Sequence, residues 1–410
     1  MIQLAHRIEL RPNNKQKTYF MKACGVARKA WNWGLANWMS YYQFNCALPK
    51  EDRDKINGMM LKKEFNAIKK EQFPYMYEVT KYASQQPLLQ LQAAYNNFFK
   101  GIAKYPKFKS RSAGDFSFYI GGDQIKFDEK KIWIPRLGLV RMNEKLRFGG
   151  KINSVTISKK AERWYASIQV ETSNAQPQVP KQAVGVDLGI KNLVSLSNGL
   201  TITPLNPLKN HLKTLKGLQK RLSRGTKGSK RYLKLKRKIA KLHKRIADLR
   251  SNLLHKVTSS IVRNFSEIVI EDLNVAGMLK NHKLSRALSD VGMGEFRRQL
   301  EYKSQMYGNV LFVADRFYPS SKRCSECNHV KEELKLSERT YHCLECQSSI
   351  DRDLNAALNL EKLINKTGRP ARPSLMTVEA TALDSLGQLM SRNCARETVN
   401  KQQINMSRFA

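Results

Sequence analysis

Four of the seven cysteines in this 410-residue chain fall inside one stretch, CSECNHVKEELKLSERTYHCLECQSSIDRDLNAALNL, Cys324 to Leu360. Cys324 and Cys327 form one CxxC pair, fifteen residues intervene, and Cys343 and Cys346 form a second pair. Thiolates so spaced make two knuckles that close a tetrahedral zinc site. Four protein ligands leave no position for water, so one zinc here is structural and stabilises a finger with too few apolar residues to fold without it. Cys24, Cys46 and Cys394 are isolated, which fits metal binding in a reducing compartment better than a disulfide framework.

Carboxylates supply the second candidate chemistry. Asp187 ends the apolar run AVGV just before Gly189, Glu271 stands between IVI and DLN, and Asp353 lies in DRD ahead of LNAALNLEKLI. Each has an ordinary explanation: a turn residue, a strand-end charge and a helix N-cap. Together they match what a two-metal nuclease needs, several carboxylates converging from different elements to hold Mg²⁺ ions about 4 Å apart for phosphodiester hydrolysis. The residue chemistry leaves Asp351 and Asp353 as equal candidates. No GxSxG elbow, Walker A loop or HExxH motif competes.

Lys and Arg number 73 against 34 Asp and Glu, a formal net charge of +39 with a pI near 10.0. Such an excess repels itself unless a polyanion shares the surface, and nucleic acid is the expected partner. A membrane surface is disfavoured, because the basic residues are spread over the whole chain and neither a bilayer-spanning apolar run nor a lipidation motif is present. The start, MIQLAHRIELRPNNKQK, lacks the apolar core of a secretory signal, so a cytoplasmic protein is expected. Between Asn206 and Arg250 seventeen Lys or Arg face a single acid, Asp248. A solvated helix normally mixes signs in i, i+4 pairs, so this segment, with Lys234, Arg237, Lys241 and Arg245, reads as a phosphate-tracking surface.

The positioning elements follow from periodicity. IQLAHRIE reads as an opening strand. A helix over about Lys15 to Tyr42 carries Trp31, Trp33, Trp38, Tyr41 and Tyr42 as core rather than as a stacking platform. Helices follow at LKKEFNAIKKEQF and ASQQPLLQLQAAYNNFFKGIAKY, with Pro87 expected near a first turn, where proline is tolerated. FSFYIG, QIKFD, KIWIP, GLVRM, NSVTISK and RWYASIQVE then alternate with period two, the pattern of a small barrel or sandwich. SNAQPQVPK, residues 173–181, reads as a linker. AVGVDLGIKNLVSLSNGLTIT gives three strands, with Asn198 and Gly199 expected at positive φ in a tight turn. Leucines from Leu208 to Leu222, a break at GTKGS, and a narrow apolar seam from Leu235 to Leu253 predict a helical hairpin. SEIVIED and NVLFVADRF are further strands, and the segment from about Thr367 reads as a loosely ordered tail.

VGVDLGIKNL, IVIEDLN, RFYPSSKRCSECN, the second CxxC and DRDLNAALNL together resemble the RuvC motifs and zinc ribbon of the transposon-encoded TnpB family, RNA-guided DNA nucleases related to type V CRISPR effectors. The likeness covers most of residues 183 to 362 and is weaker in ELRPNNKQK and QAAYNNFFKG. It implies a multidomain α+β protein. A wedge β-barrel domain (1–10 plus 110–175) would carry an inserted helical recognition lobe (11–109). A RuvC (RNase H-like) α/β nuclease domain (176–320 plus 348–366) would include the basic hairpin (206–260) and an inserted zinc ribbon (321–347), before the tail (367–410). It also implies metal ligands in the order Asp187, Glu271, Asp353, favouring the second aspartate of DRD and two Mg²⁺ ions. The implied activity is guided DNA cleavage beside a short flanking motif read by Lys81 and Gln85, by a monomer with one guide RNA derived from the transposon end. A guide-directed DNA-binding regulator without cleavage is the alternative, and the three filled carboxylate positions separate the two.

Overall fold

The computed structural model describes residues 2–112, 114, 116–173, 182–335 and 337–364. The expected linker, beyond Ser173, and the expected tail lie outside the described residues. Strand β1 (Ile2–Arg11) turns His6, Ile8 and Leu10 inward, as its period-two pattern dictates. Helix α1 (Asn14–Ala47) starts at a capping box in which Asn13 and Gln16 satisfy each other's backbone N–H. Helices α2 (Gly58–Gln72) and α3 (Lys81–Phe99) pack beside it. Gly34 makes this contact possible, since a Cβ there would stand 2.5 Å from Leu88 Cδ2. Trp31 and Trp38 are buried, and Tyr42 is exposed at the edge of the cluster. Helix α3 begins earlier than the sequence suggested, so Pro87 stands inside it rather than in its first turn. In residues 93–106, a small unit of its own, Tyr95 and Tyr105 bring their hydroxyls to 3.0 Å.

Strands β2 (Phe116–Gly121), β3 (Lys126–Asp128), β4 (Lys131–Ile134), β5 (Gly138–Met142), β6 (Lys151–Lys160) and β7 (Arg163–Thr172) join β1 in an antiparallel sheet of seven strands. The order β2-β6-β7-β1-β5-β4-β3 puts β1 at the centre and leaves β2 and β3 as edges. Phe20 of α1 packs on Trp164, ring centroids 4.9 Å apart, which fixes the first helix to the sheet.

The next sheet holds β8 (Ala183–Asp187), β9 (Val194–Leu196) and β10 (Thr201–Ile202). Only Gly199 of the β9–β10 turn has positive φ; Asn198 instead accepts the Leu200 N–H at 3.1 Å, so the side chain rather than the backbone of Asn198 shapes the turn. Helices α4 (Pro207–Ser223) and α5 (Lys230–Asn264) form the hairpin, which Ser229 reopens as N-cap. Buried Asp290 anchors its foot, accepting the Leu208 and Lys209 N–H groups at 2.9 Å and pairing with Arg250 at 3.2 Å. Strand β11 (Glu267–Glu271), helices α6 (Val275–Met278), α7 (Ser285–Val291) and α8 (Met293–Tyr307), and strand β12 (Val310–Ala314) follow. The sheet order is β10-β9-β8-β11-β12, with β8, β11 and β12 parallel. Its core includes Val184, Val186, Ile268 and Ile270 with Val257, Ile261 and Phe296 of α5 and α8. The buried amine of Lys303 joins those helices by donating to His255 O, Thr258 Oγ1 and Ser259 Oγ at 2.7–3.0 Å. The last elements among the described residues are the small pair β13 (Thr340–His342) and β14 (Ser349–Asp351), and helix α9 (Arg352–Glu361). Among the described residues no helix is long and apolar enough to cross a membrane.

Candidate functional site

The four expected cysteines meet. Cys324 and Cys346 sulfurs are 3.6 Å apart, Cys327 and Cys343 sulfurs 3.4 Å, and all four lie within 4.8 Å of one another. A zinc with sulfurs at about 2.3 Å needs them about 3.8 Å apart, so the donor set fits. Tyr341, fully buried, packs under the cluster and donates its hydroxyl to Lys322 O at 3.1 Å. Burial opposes a Cys324 thiolate, but the N–H groups of Cys327 and Glu326 and the Ser348 hydroxyl outweigh it and hold the thiol at about 6. This group can bind zinc, with no position for substrate. We expect one zinc per chain by elemental analysis, and Cys343→Ser to lose it together with hydrogen-exchange protection around Asp353; a zinc-free preparation that keeps this protection would show that the cluster does not order the start of α9.

Asp187 ends β8, and the parallel register Ile270↔Val186 sets Glu271 beside it at the carboxyl edge of the sheet. Helix α9 brings the third carboxylate, because Gly185 lets it lie directly on β8: a Cβ on Gly185 would stand 1.8 Å from Ala357 O. DRD is divided between two tasks. Asp351 is exposed and is the N-cap, accepting the Asp353 and Leu354 N–H groups at 3.0 Å; Asp353, expected as a possible cap, is buried in the first turn.

Burial, then the negative charges of Glu271 and Asp353, push the half-buried Asp187 carboxyl up to about 8, against the opposing pull of Arg352 and the Leu188 N–H. Like charges crowded at one sheet edge suit a divalent cation. The three oxygens are not gathered as tightly as the sulfurs, since the cysteines are the only such group of ligand atoms within 4.8 Å among the described residues. Each neighbour of Asp187 is held in place. Ser320 donates its hydroxyl to Glu271 Oε1, Asn192 Nδ2 donates to Asp353 Oδ2 at 3.3 Å, and the Arg352 guanidinium lies 3.7 Å from Asp353 Oδ1. Next to Glu271, Asp272 is clamped by Arg297 and Arg316, whose hydrogen bonds hold its carboxyl below its ordinary range despite partial burial. Sequence reasoning missed Ser320 and Asn192. The available signal was Asn355 and Asn359, two amides four residues apart on the otherwise apolar face of α9.

The basic candidates are on two surfaces. Lys234, Arg237, Lys241 and Arg245 are all exposed on α5, opposite buried Leu235 and Ile246. Lys244 turns the other way, its ammonium 4.9 Å from the Tyr165 ring, which also stacks Arg7 at 4.2 Å and so ties the hairpin to β7. Lys81 opens α3 with its ammonium 3.7 Å from Asp123, and Gln85 follows one turn later, half-buried. Tyr82 donates to the same Asp123 at 2.7 Å.

Three family models match: "Probable transposase" over residues 167–282, "Cas12f1-like, TNB domain" over 294–360 and "Helix-turn-helix domain" over 1–45, residues that here form β1 and most of α1. The chain is 32% identical over 373 residues to "Putative RNA-guided DNA endonuclease InsQ" of Escherichia coli (strain K12), covering 87% of this chain and 91% of that one. It is 36% identical over 296 residues to a "Putative RNA-guided DNA endonuclease" of Streptomyces pristinaespiralis, covering 71% and 73%. Among solved structures, CasPhi-2 (Cas12j) bound to crRNA aligns over 91% of this chain and 99% of its own at 11% identity, with a TM-score of 0.40.

Proposed function

Because the chain belongs to the TnpB family of transposon-encoded RNA-guided DNA endonucleases, we propose that it hydrolyses DNA phosphodiesters at Asp187, Glu271 and Asp353, at targets selected by a bound guide RNA. The observation that carries this reading is the convergence of three carboxylates from β8, β11 and α9 on one sheet edge, where burial first and then the charges of Glu271 and Asp353 raise Asp187 to about 8. The sheet order β10-β9-β8-β11-β12 supports a RuvC, RNase H-like nuclease domain. Two Mg²⁺ ions held there would supply activation of water and stabilisation of the leaving oxygen.

The remaining surfaces take the partners. The exposed row on α5 tracks the phosphates of the guide and of its heteroduplex with the target strand, which is recognised by backbone geometry. The seven-stranded sheet acts as the wedge and α1–α3 as the recognition lobe. Lys81 and Gln85 read the flanking duplex, and Lys81 exchanges its Asp123 partner for a base edge when it does so. One monomer carries one RNA from the transposon end, in the cytoplasm and in use at the nucleoid.

The test is programmed cleavage. An RNA whose 3′ segment matches a chosen target should direct cutting there, and changing the segment should move the cut. Reversing Lys234, Arg237, Lys241 and Arg245 to Glu should reduce co-purifying RNA while leaving zinc content unchanged. A cut that stays put when the guide changes, or that RNA-free protein makes at the same place, would replace guided action by a self-reading nuclease.

A further inference from the structure

We infer that Ser320 is a positioning residue for the hydrolysis: its hydroxyl orients Glu271, and a strap of residues 320–325 slung from α9 holds that hydroxyl in place. The inference rests on the reading of Glu271 as a metal ligand.

A glutamate side chain is soft about its last torsion, and a hydrogen bond to one oxygen removes that freedom. Ser320 supplies the bond to Oε1 of Glu271 from a position only 4% exposed. Its own backbone is fixed at both ends. The Ser320 N–H donates to Tyr318 O at 2.9 Å, and the Ser320 carbonyl accepts Asn359 Nδ2 at 2.8 Å. Asn359 Nδ2 also reaches Arg323 O at 2.6 Å, Asn355 Nδ2 reaches the same carbonyl at 2.7 Å, and Asn355 Oδ1 accepts the Ser325 N–H at 2.8 Å. Asn355 and Asn359 are fully buried. Two amides inside an apolar face lower stability unless they bond, so their placement has to be compensated by what they hold.

What they hold is the link between two carboxylates. Asp353 belongs to α9 itself, while Glu271 belongs to β11. The strap runs from Ser320 on Glu271 to Cys324 in the cysteine cluster, and the amides hang it from the helix that carries Asp353. Glu271 is thereby registered against Asp353 through the side chains of Ser320, Asn355 and Asn359, none of them among the three carboxylates. The Arg316 clamp on Asp272 secures the loop on the approach to the strap.

The experiment measures Mn²⁺ binding by electron paramagnetic resonance on the protein–RNA complex, with the Asp187→Ala, Glu271→Ala double variant as background, alongside the Mg²⁺ dependence of cleavage. Ser320→Ala keeps the backbone carbonyl that Asn359 grips, so zinc content, Tm and target binding should match the unsubstituted complex. Its Mn²⁺ affinity should fall about 10- to 100-fold, the usual effect of losing a partner behind a metal ligand, and half-maximal cleavage should need correspondingly more Mg²⁺. Ser320→Thr, which retains the hydroxyl, should restore both. Ser320→Ala with unchanged affinity and Mg²⁺ dependence overturns the inference. So does Ser320→Thr that behaves as alanine, and this arm decides the matter should Ser320→Ala lose zinc. An unsubstituted complex that binds no more Mn²⁺ than the background overturns the underlying assignment of Glu271 instead.

Discussion

Replacing Asp187, Glu271 or Asp353 by alanine should each lower DNA cleavage by roughly a thousandfold or more if the three hold the catalytic cations as proposed, because a lost cation ligand removes several kcal/mol of transition-state stabilisation. Target binding should stay within a few-fold, since the exposed basic row on α5, proposed to track the phosphates, is untouched. Asp351→Ala is the internal control. As an exposed N-cap it should cost about 1 kcal/mol of stability and only a few-fold in rate. Single-turnover cleavage and filter binding measured on the same complexes separate the two effects. An essential Asp351 beside a dispensable Asp353 would reverse the assignment within DRD.

Gly185→Ala should be nearly as damaging from a position with no chemistry of its own. Its new Cβ would meet backbone: Ala357 O at 1.8 Å, Glu361 N at 2.7 Å and Ala357 C at 2.9 Å. Backbone cannot rotate aside as a side chain can, so α9 must lift off β8. The expected loss is about 3 kcal/mol, the upper part of the overpacking range. Asp353 moves with the helix, and a misplacement of about 1 Å is worth about a hundredfold in rate. Gly199→Ala makes the comparison: its φ is +88° with open space around the new Cβ, so only the left-handed backbone resists, at about 1 kcal/mol. Thermal melts and cleavage rates of the two variants should therefore differ widely; equal values would mean that α9 does not press on β8.

Local patterns made much of the fold legible. Alternation located every strand of the large sheet, and β5 runs over the same residues as GLVRM. The strand ends at Asp187 and Glu271 were legible for the same reason, as was the cysteine spacing. Failures came where a contact spans distant sequence. Nothing around Ser320 announces a carboxylate 49 residues away, and nothing in TKYASQQPLLQ shows that Lys81 faces Asp123. Asp351 and Asp353 could not be told apart as cap and buried acid, because either can accept an N–H at a helix start. The register Thr340↔Asp351 decides it by holding Asp351 extended, outside the helix. Pro87 was misplaced because α3 opens at Lys81, ahead of its apolar pattern.

Asp351 has a consequence for anyone who would shorten the protein. It is the last residue of β14 and also the cap of α9, so ribbon and helix overlap by one side chain. Excising the ribbon as a cassette would delete β13, the only partner of β14 among the described residues, and release Asp351 from the extended conformation that lets it cap. The helix would then begin with unsatisfied N–H groups beside a carboxylate cluster. A miniature of this scaffold has to import a replacement start for α9, an Asp or Ser held extended by some other neighbour, before the smaller chain can be expected to keep its edge.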